Sequence, residues 1–382
     1  MNLSKTAYVS YYNAKDIHNW SGLGYYISNT IENEFGKLDY IGDLQVKKDS
    51  LKKIKQISSK LLNKSYTSIW DPGRLKFFAE QVEKRIIGEN YELLFGPGPI
   101  PFVHLKTDIP IVTWTDSCFP GLVDFYSSKS KFSKKAYNNG LDAQQIALKK
   151  CTLSIYSSEW AANIAKTKFD VDPKKIKVVP FGANVESTLD KDSIEELIGK
   201  KDENICKLLF VGVDWNRKGA DIVVGVAEEL HKQGINVQVE IVGCNPPSDK
   251  KLPDYVNLHG FVSKSTTEGR NKINRLFNES HFLFVPSRAE AYGLVFCEAN
   301  AFGMPAIASN VGGINTIIKD DINGKKFPLE SEFKQYSNYI GSIFSDRKRY
   351  IELAKSSFNE YETRLNWEVA GKTVRTLLEE LQ

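Results

Sequence analysis

Short apolar runs alternate with helical patterns from one end of this chain to the other, and that alternation limits its fold more than anything else. In the first half TAYVSYY, YELLFGPG, IPIVTWTD, CTLSIYSS and KIKVVPFG read as strands, with YYISNTIENEF and SEWAANIAKTKF as helices. The second half repeats the theme. KLLFVGV, NVQVEIVG, NLHGFV, HFLFVPS and PAIASN read as strands, and ADIVVGVAEELHKQG as a helix with Gly234 at its C-terminal cap. Strands joined by helices build parallel sheets covered on both faces, so the expected class is α/β. A chain of 382 residues exceeds what one hydrophobic core holds, which predicts two doubly wound, Rossmann-like domains facing a cleft. The polar stretch TLDKDSIEELIGKKDEN marks the expected boundary. The division is then 1–185, 186–347 and a helical C-terminal segment, 348–382, packing back on the first domain.

Composition narrows the function classes. A net charge of +4 lacks the clustered excess of a nucleic-acid binder, and no nucleic-acid partner is expected. Five dispersed cysteines without a C-x-x-C pair argue against a disulfide framework and a zinc knuckle, and predict reduced thiols. No basic segment leads into an apolar run at the N-terminus, and no run approaches the ~18 apolar residues of a membrane span. A cytoplasmic location is therefore expected. The lysine-rich segment 47–64 has two readings: docking to the anionic inner face of a membrane, or an ordinary helix with a solvated face, the plainer of the two.

Ligands of open parallel sheets bind beyond the carboxyl ends of the strands, so chemistry is sought in the loops there. The richest stretch is HFLFVPSRAEAYGLVFCEANAFGMPAIASNVGG. A strand stops at Pro286, a loop carries Glu290, and Gly293 opens a helix carrying Glu298. A carboxylate accepts two hydrogen bonds and suits a vicinal diol, such as a ribose or a sugar ring. Between the acids, the amides of Tyr292, Gly293 and Leu294 sit at a helix N-terminus, which favours an anion. A second element, LLFVGVDWNRKG, ends a strand at Gly212 and places Arg217 and Lys218 before a helix, where two cations can neutralise a diphosphate. A third is the loop Trp20-Ser21-Gly22-Leu23-Gly24, whose glycines Gly22 and Gly24 let backbone approach a ligand. Trp70-Asp71-Pro72-Gly73-Arg74 reads as a turn, with Arg74 as a candidate acceptor contact. No cluster of residues with metal-ligand spacing stands out, so neither metal nor cofactor is expected.

RAEAYGLVFCE resembles the Glu-x7-Glu signature of the retaining family 4 glycosyltransferases. LLFVGVDWNRKG, VVPFGAN, GMPAIASNVGG and DDINGKKFP are similar to that family's other motifs, in the family's order, over roughly residues 175–330. The resemblance implies the GT-B architecture and a nucleotide diphosphate sugar donor, UDP- or GDP-linked. It implies a metal-independent hexosyl transfer to a hydroxyl of a glycan or lipid-linked acceptor, in glycan, glycolipid or surface polysaccharide synthesis. Carried over, Glu298 binds the donor ribose, Glu290 the donor sugar, Gly293 and Leu294 the distal phosphate, and Lys218 the diphosphate. Two positions depart from the family: Val213 stands where an arginine is usual, with Arg217 as the candidate replacement. Thr115 stands where many members have histidine, and Asp116 beside it is expected to face the donor sugar. A sugar-nucleotide epimerase of the same fold is the alternative.

Overall fold

The chain is described by a computed structural model at residues 5–46, 68–126, 132–185 and 189–381. The lysine-rich segment 47–64 lies outside the described residues. Two compact units divide the chain: Met1–Pro180 with Ala370–Gln382, and Phe181–Val369.

The first unit contains, in chain order, β1 (Thr6–Val9), α1 (Leu23–Phe35), β2 (Leu38–Ile41), α2 (Pro72–Ile86), β3 (Leu93–Gly96), β4 (Ile111–Thr115), α3 (Phe119–Tyr126), α4 (Lys134–Lys150), β5 (Leu153–Tyr156), α5 (Glu159–Lys168) and β6 (Ile176–Val178). The second contains α6 (Lys191–Gly199), β7 (Cys206–Val211), α7 (Trp215–Lys218), α8 (Ala220–Lys232), β8 (Val237–Val242), β9 (Val256–Gly260), α9 (Thr267–Glu279), β10 (Phe282–Val285), α10 (Leu294–Ala301), β11 (Ala306–Ser309), α11 (Ile314–Ile317), β12 (Gly324–Phe327), α12 (Phe333–Ser345) and α13 (Arg347–Thr363). The last helix, α14 (Trp367–Glu379), starts in the second unit and ends in the first. Within the first unit its later turns lie on α1, where Arg375 bonds Glu34 at 2.8 Å.

Each unit holds one six-stranded parallel sheet, in the orders β2-β1-β3-β4-β5-β6 and β12-β11-β10-β7-β8-β9. Strands β1, β3, β4, β5, β10 and β11 are buried along their whole length, as central strands covered on both faces must be. Their apolar runs are why the sequence reveals them. The edge strands β2 and β12 are partly exposed, read LDYI and GKKF, and carry no such run. Strand order reverses between β1 and β3 in the first sheet and between β7 and β10 in the second. Connections that leave in opposite directions open a crevice at the carboxyl ends of those strands.

Local chemistry starts the helices. Asp71, Ser133, Ser158, Asp190, Asp214, Thr266 and Asp346 each accept a backbone N–H of the following first turn. The segment Trp70–Arg74 is thus not a free turn: Asp71 caps α2 and Pro72 is its first residue. The charged stretch expected to mark a boundary folds as α6, inside the second unit. All five cysteines are buried free thiols. Among the described residues no helix is long and apolar enough to cross a membrane.

A buried basic pair lies at the amino ends of β7 and β10. Lys201 is 5% exposed, and its Nζ donates to the carbonyl of Ser280. His281 accepts the Lys207 N–H on Nδ1 at 3.1 Å, which leaves the proton on Nε2, an atom without a hydrogen-bond partner. Burial, with Arg347 nearby, pushes the Lys201 ammonium down to about 7. Burial, then Lys201, pushes His281 down to about 3. Between about pH 7 and the unfolded lysine value, the unfolded chain holds the extra proton, so Lys201 makes stability rise with pH in that window. Replacing Lys201 by Met is therefore expected to raise the melting temperature most at pH 7, with the gain shrinking towards pH 10. Thermal scans of both proteins across this range check it, and a pH-independent difference would refute it.

Candidate active site

The reversal between β7 and β10 sets two loops side by side. After β7, Gly212 leads to Asp214, which caps the short helix α7 by accepting the Arg217 N–H at 2.8 Å. α7 ends at Gly219, whose φ of 80° lies in the left-handed region. A Cβ on Gly219 would stand 2.2 Å from the Pro286 carbonyl oxygen, so only glycine lets this loop close against the end of β10. The Arg288 N–H donates to the Arg217 carbonyl at 2.7 Å and joins the loops through backbone.

This contact brings Lys218 to Glu290. The lysine stem crosses Gly212, where a Cβ would come within 2.9 Å of Lys218 Cγ. Its ammonium pairs with Glu290 Oε2, which also accepts from Ser287 Oγ at 3.4 Å. The two side chains are 14% and 9% exposed. Such a pair is held by mutual compensation, since either charge alone would be desolvated without a partner. The Gly313 N–H donates to the Glu290 carbonyl at 3.2 Å, so the loop after β11 supports this segment from the other side.

Gly293 has a φ of 103° and stands at the N-cap of α10. At the start of α10 the Phe296 N–H donates to the Gly293 carbonyl at 3.0 Å, and the amides before it are those that a helix start leaves without a partner within the helix. The Tyr292 side chain does not take part: it is 3% exposed and its hydroxyl donates to the Phe181 carbonyl at 2.7 Å. Only its backbone is available. Farther along α10, Glu298 is 4% exposed, and Lys264 Nζ lies 2.6 Å from its Oε2. Lys264 comes from the loop after β9, whose carbonyls at Lys264 and Ser265 accept from Arg270 at 3.1 and 3.2 Å. Each acid of the pair thus meets a lysine delivered from another strand end.

Arg217 donates to the Ala289 carbonyl at 3.2 Å and stands 3.8 Å from Asp214, so it braces the loop that carries Glu290. Arg288 forms a bidentate pair with Asp221 at 2.9 and 2.7 Å. Neither Lys264 nor Arg288 was expected from sequence.

The remaining expected site residues lie in the first unit. Trp20 and Ser21 have φ of 49° and 54°, and Gly22 follows at 81°. Two consecutive left-handed residues other than glycine cost about 1–3 kcal/mol each. Gly24 owes its place to packing: a Cβ there would meet the Tyr12 hydroxyl at 2.6 Å. Asp116 follows β4 and lines a cavity of about 430 Å³, with Ser10, Tyr11, Trp20, Gly98 and Trp70 among its walls. The cavity opens at the carboxyl ends of β1, β3 and β4, the reversal point of the first sheet. Burial, and secondarily Asp116, raises the Tyr11 phenol above its usual value.

The Lys218–Glu290 pair makes a stability prediction. Removing one charge strands the other, so Lys218→Met and Glu290→Gln are each expected to cost about 3–5 kcal/mol. The double variant is expected to recover most of that loss. Urea titration of the four proteins measures the coupling, and additive losses would exclude it.

Residues 191–359 match the model of the family described as Glycosyl transferases group 1. A D-inositol 3-phosphate glycosyltransferase of Xylanimonas cellulosilytica is 24% identical over 53% of this chain and 51% of its own length. The chain spans about half the length of such relatives. A sucrose-phosphate synthase of Thermosynechococcus elongatus superposes with a TM-score of 0.70 at 17% identity, covering 99% of this chain and 98% of that one. HepE of Anabaena, in complex with UDP-glucose, superposes with a TM-score of 0.62 at 15% identity over 98% and 99% of the two chains. Two parallel six-stranded sheets flanked by helices make this the GT-B fold, and its residues 191–359 carry the sequence pattern of the group 1 glycosyl transferases.

Proposed function

We propose that the chain is a retaining glycosyltransferase that takes a hexose from a nucleotide diphosphate donor held by its second unit. The observation that carries this reading is the Lys218–Glu290 pair at the β7/β10 reversal, flanked by the start of α10 and by Lys264–Glu298. The array offers acid, cation, amide, acid in the order that a sugar, a diphosphate and a ribose require. The HepE complex with UDP-glucose, on a similar fold, supports a UDP-linked donor among the UDP- and GDP-sugars.

In this reading Glu298 accepts the ribose hydroxyls and Glu290 those of the transferred sugar. Lys218 and the amides at Gly293 and Leu294 stabilise the departing diphosphate, with Arg217 keeping the Glu290 loop in place. Bond cleavage concentrates charge on the leaving oxygen. A fixed ammonium and helix amides in a desolvated site stabilise that charge without reorganising. The departing diphosphate takes the proton of the acceptor hydroxyl on the same face of the sugar, so configuration is retained. We assign the acceptor to the cavity of the first unit, with Asp116 at its wall, and the acceptor class to glycans or lipid-linked glycans. Lysines do the charge neutralisation here, so the chemistry is metal-independent.

Two variants separate the roles. Glu290→Gln is expected to lower kcat by ~10²–10³ while nucleotide affinity changes by less than about threefold. Lys264→Met is expected to raise donor KM ~10–100-fold at similar kcat, the ~1.5–3 kcal/mol of a hydrogen bond to a charged group. Steady-state kinetics over UDP- and GDP-sugars reads both, and full turnover by the Glu290 variant would end the assignment. Addition of EDTA is expected to leave the wild-type rate unchanged; a loss restored by a divalent cation would contradict the metal-independent scheme.

A further inference from the structure

The cavity of the first unit says more about its ligand than that it is an acceptor. Five aromatic side chains, Tyr11, Tyr12, Trp20, Trp70 and Phe119, form much of its wall. Four of these rings, those of Tyr11, Tyr12, Trp70 and Phe119, pack against other aromatic rings. Tyr11 meets Tyr12 edge-on at 5.0 Å and stacks on Phe78 at 6.2 Å, and Trp70 meets Phe119 edge-on at 5.2 Å. Trp20 is placed by a backbone in the left-handed region, so its ring position comes from the fold and not from a local helical preference. Rigid aromatic faces with hydrogen-bonding edges suit a pyranose, whose axial C–H bonds make one apolar face while its rim carries hydroxyls.

The electrostatics select further. Among the described residues that line the cavity, Asp116 carries the only charge. Its carboxylate contributes, after burial, to raising both the Tyr11 and the Tyr12 phenols, so its field reaches the aromatic wall. A carboxylate accepts from hydroxyls and repels a phosphate. At about 430 Å³ the cavity falls in the ~300–1,000 Å³ range of small-molecule sites. The name of relatives such as the D-inositol 3-phosphate glycosyltransferases includes a phosphate, a group that a wall whose one charge is a carboxylate disfavours.

We propose that the cavity of the first unit binds an uncharged pyranoside by aromatic stacking, with Asp116 accepting its hydroxyls and discriminating against phosphorylated acceptors. This rests on the transferase reading only for the word acceptor; the binding itself is measurable without donor. The full chain is titrated with the methyl pyranosides of glucose, galactose, mannose and N-acetylglucosamine and with the corresponding 6-phosphates. Saturation-transfer NMR and tryptophan fluorescence follow binding. At least one neutral glycoside is expected to bind tenfold or more tightly than its 6-phosphate. Asp116→Asn is expected to bring that ratio within threefold of one, and Trp20→Ala to weaken the glycoside about tenfold while UDP binding, read by calorimetry, persists. Tighter binding of the phosphates, no binding by any glycoside, or selectivity untouched in Asp116→Asn would each overturn the proposal. Release of UDP from UDP-sugars by the same preparations is followed separately: its absence counts against the transferase reading, and glycoside binding still decides the ligand class.

Discussion

The second unit depends on one constraint: where strand order reverses between β7 and β10, two neighbouring strands send their chains in opposite directions. Backbone amides at their carboxyl ends are not consumed by a common crossover. The chain fills the gap with two loops that touch at Gly219 and Pro286 and bond from Arg288 to Arg217. Lys218 and Glu290 can meet only because of that contact. Gly212 clears a path for the lysine stem, and Asp214 holds the turn that aims it. Asp214 at a helix N-cap and Gly219 at a left-handed position follow local preference, but the meeting of Lys218 with Glu290 answers to the spacing of two strands in a sheet.

The charges of the site are arranged in compensated pairs. Glu290 and Glu298 are both nearly buried, a costly state for a lone carboxylate, and each has a lysine against it. A polar ligand that offers hydroxyls to the acids and oxyanions to the lysines replaces one set of compensations by another. In the function proposed above, preorganised pairs of this kind need little rearrangement as charge develops on the leaving group. Trp20 and Ser21 in the first unit are consecutive left-handed residues, and there the backbone holds an aromatic ring at the wall of the cavity.

Much of the fold was legible before any coordinates, and the omissions have physical causes. Central strands such as FLFV and AIAS are buried on both faces and write themselves as apolar runs. LDYI and GKKF are edge strands with one side in solvent, so Asp39, Lys325 and Lys326 break the pattern. The Asp71-Pro72-Gly73 segment looked like a turn because the same residues that make turns also start helices. The charged segment before β7 looked like a linker, yet Ile194 and Ile198 bury one side of it as α6.

The sequence alone determined the alternation of strand and helix, the two-sheet plan, and the local unit in which a strand, a loop with Glu290 and a helix with Glu298 follow one another. Those features depend on neighbours within a few turns of chain, and periodicity reports them. Tertiary structure alone decided that Lys218 belongs to Glu290 and Lys264 to Glu298, that the Tyr292 side chain faces inward, and that Asp116 sits on an aromatic cavity. Each of those facts depends on which strands lie side by side. Strand order is set by the global balance of packing and crossover geometry, and no local run of residues encodes it.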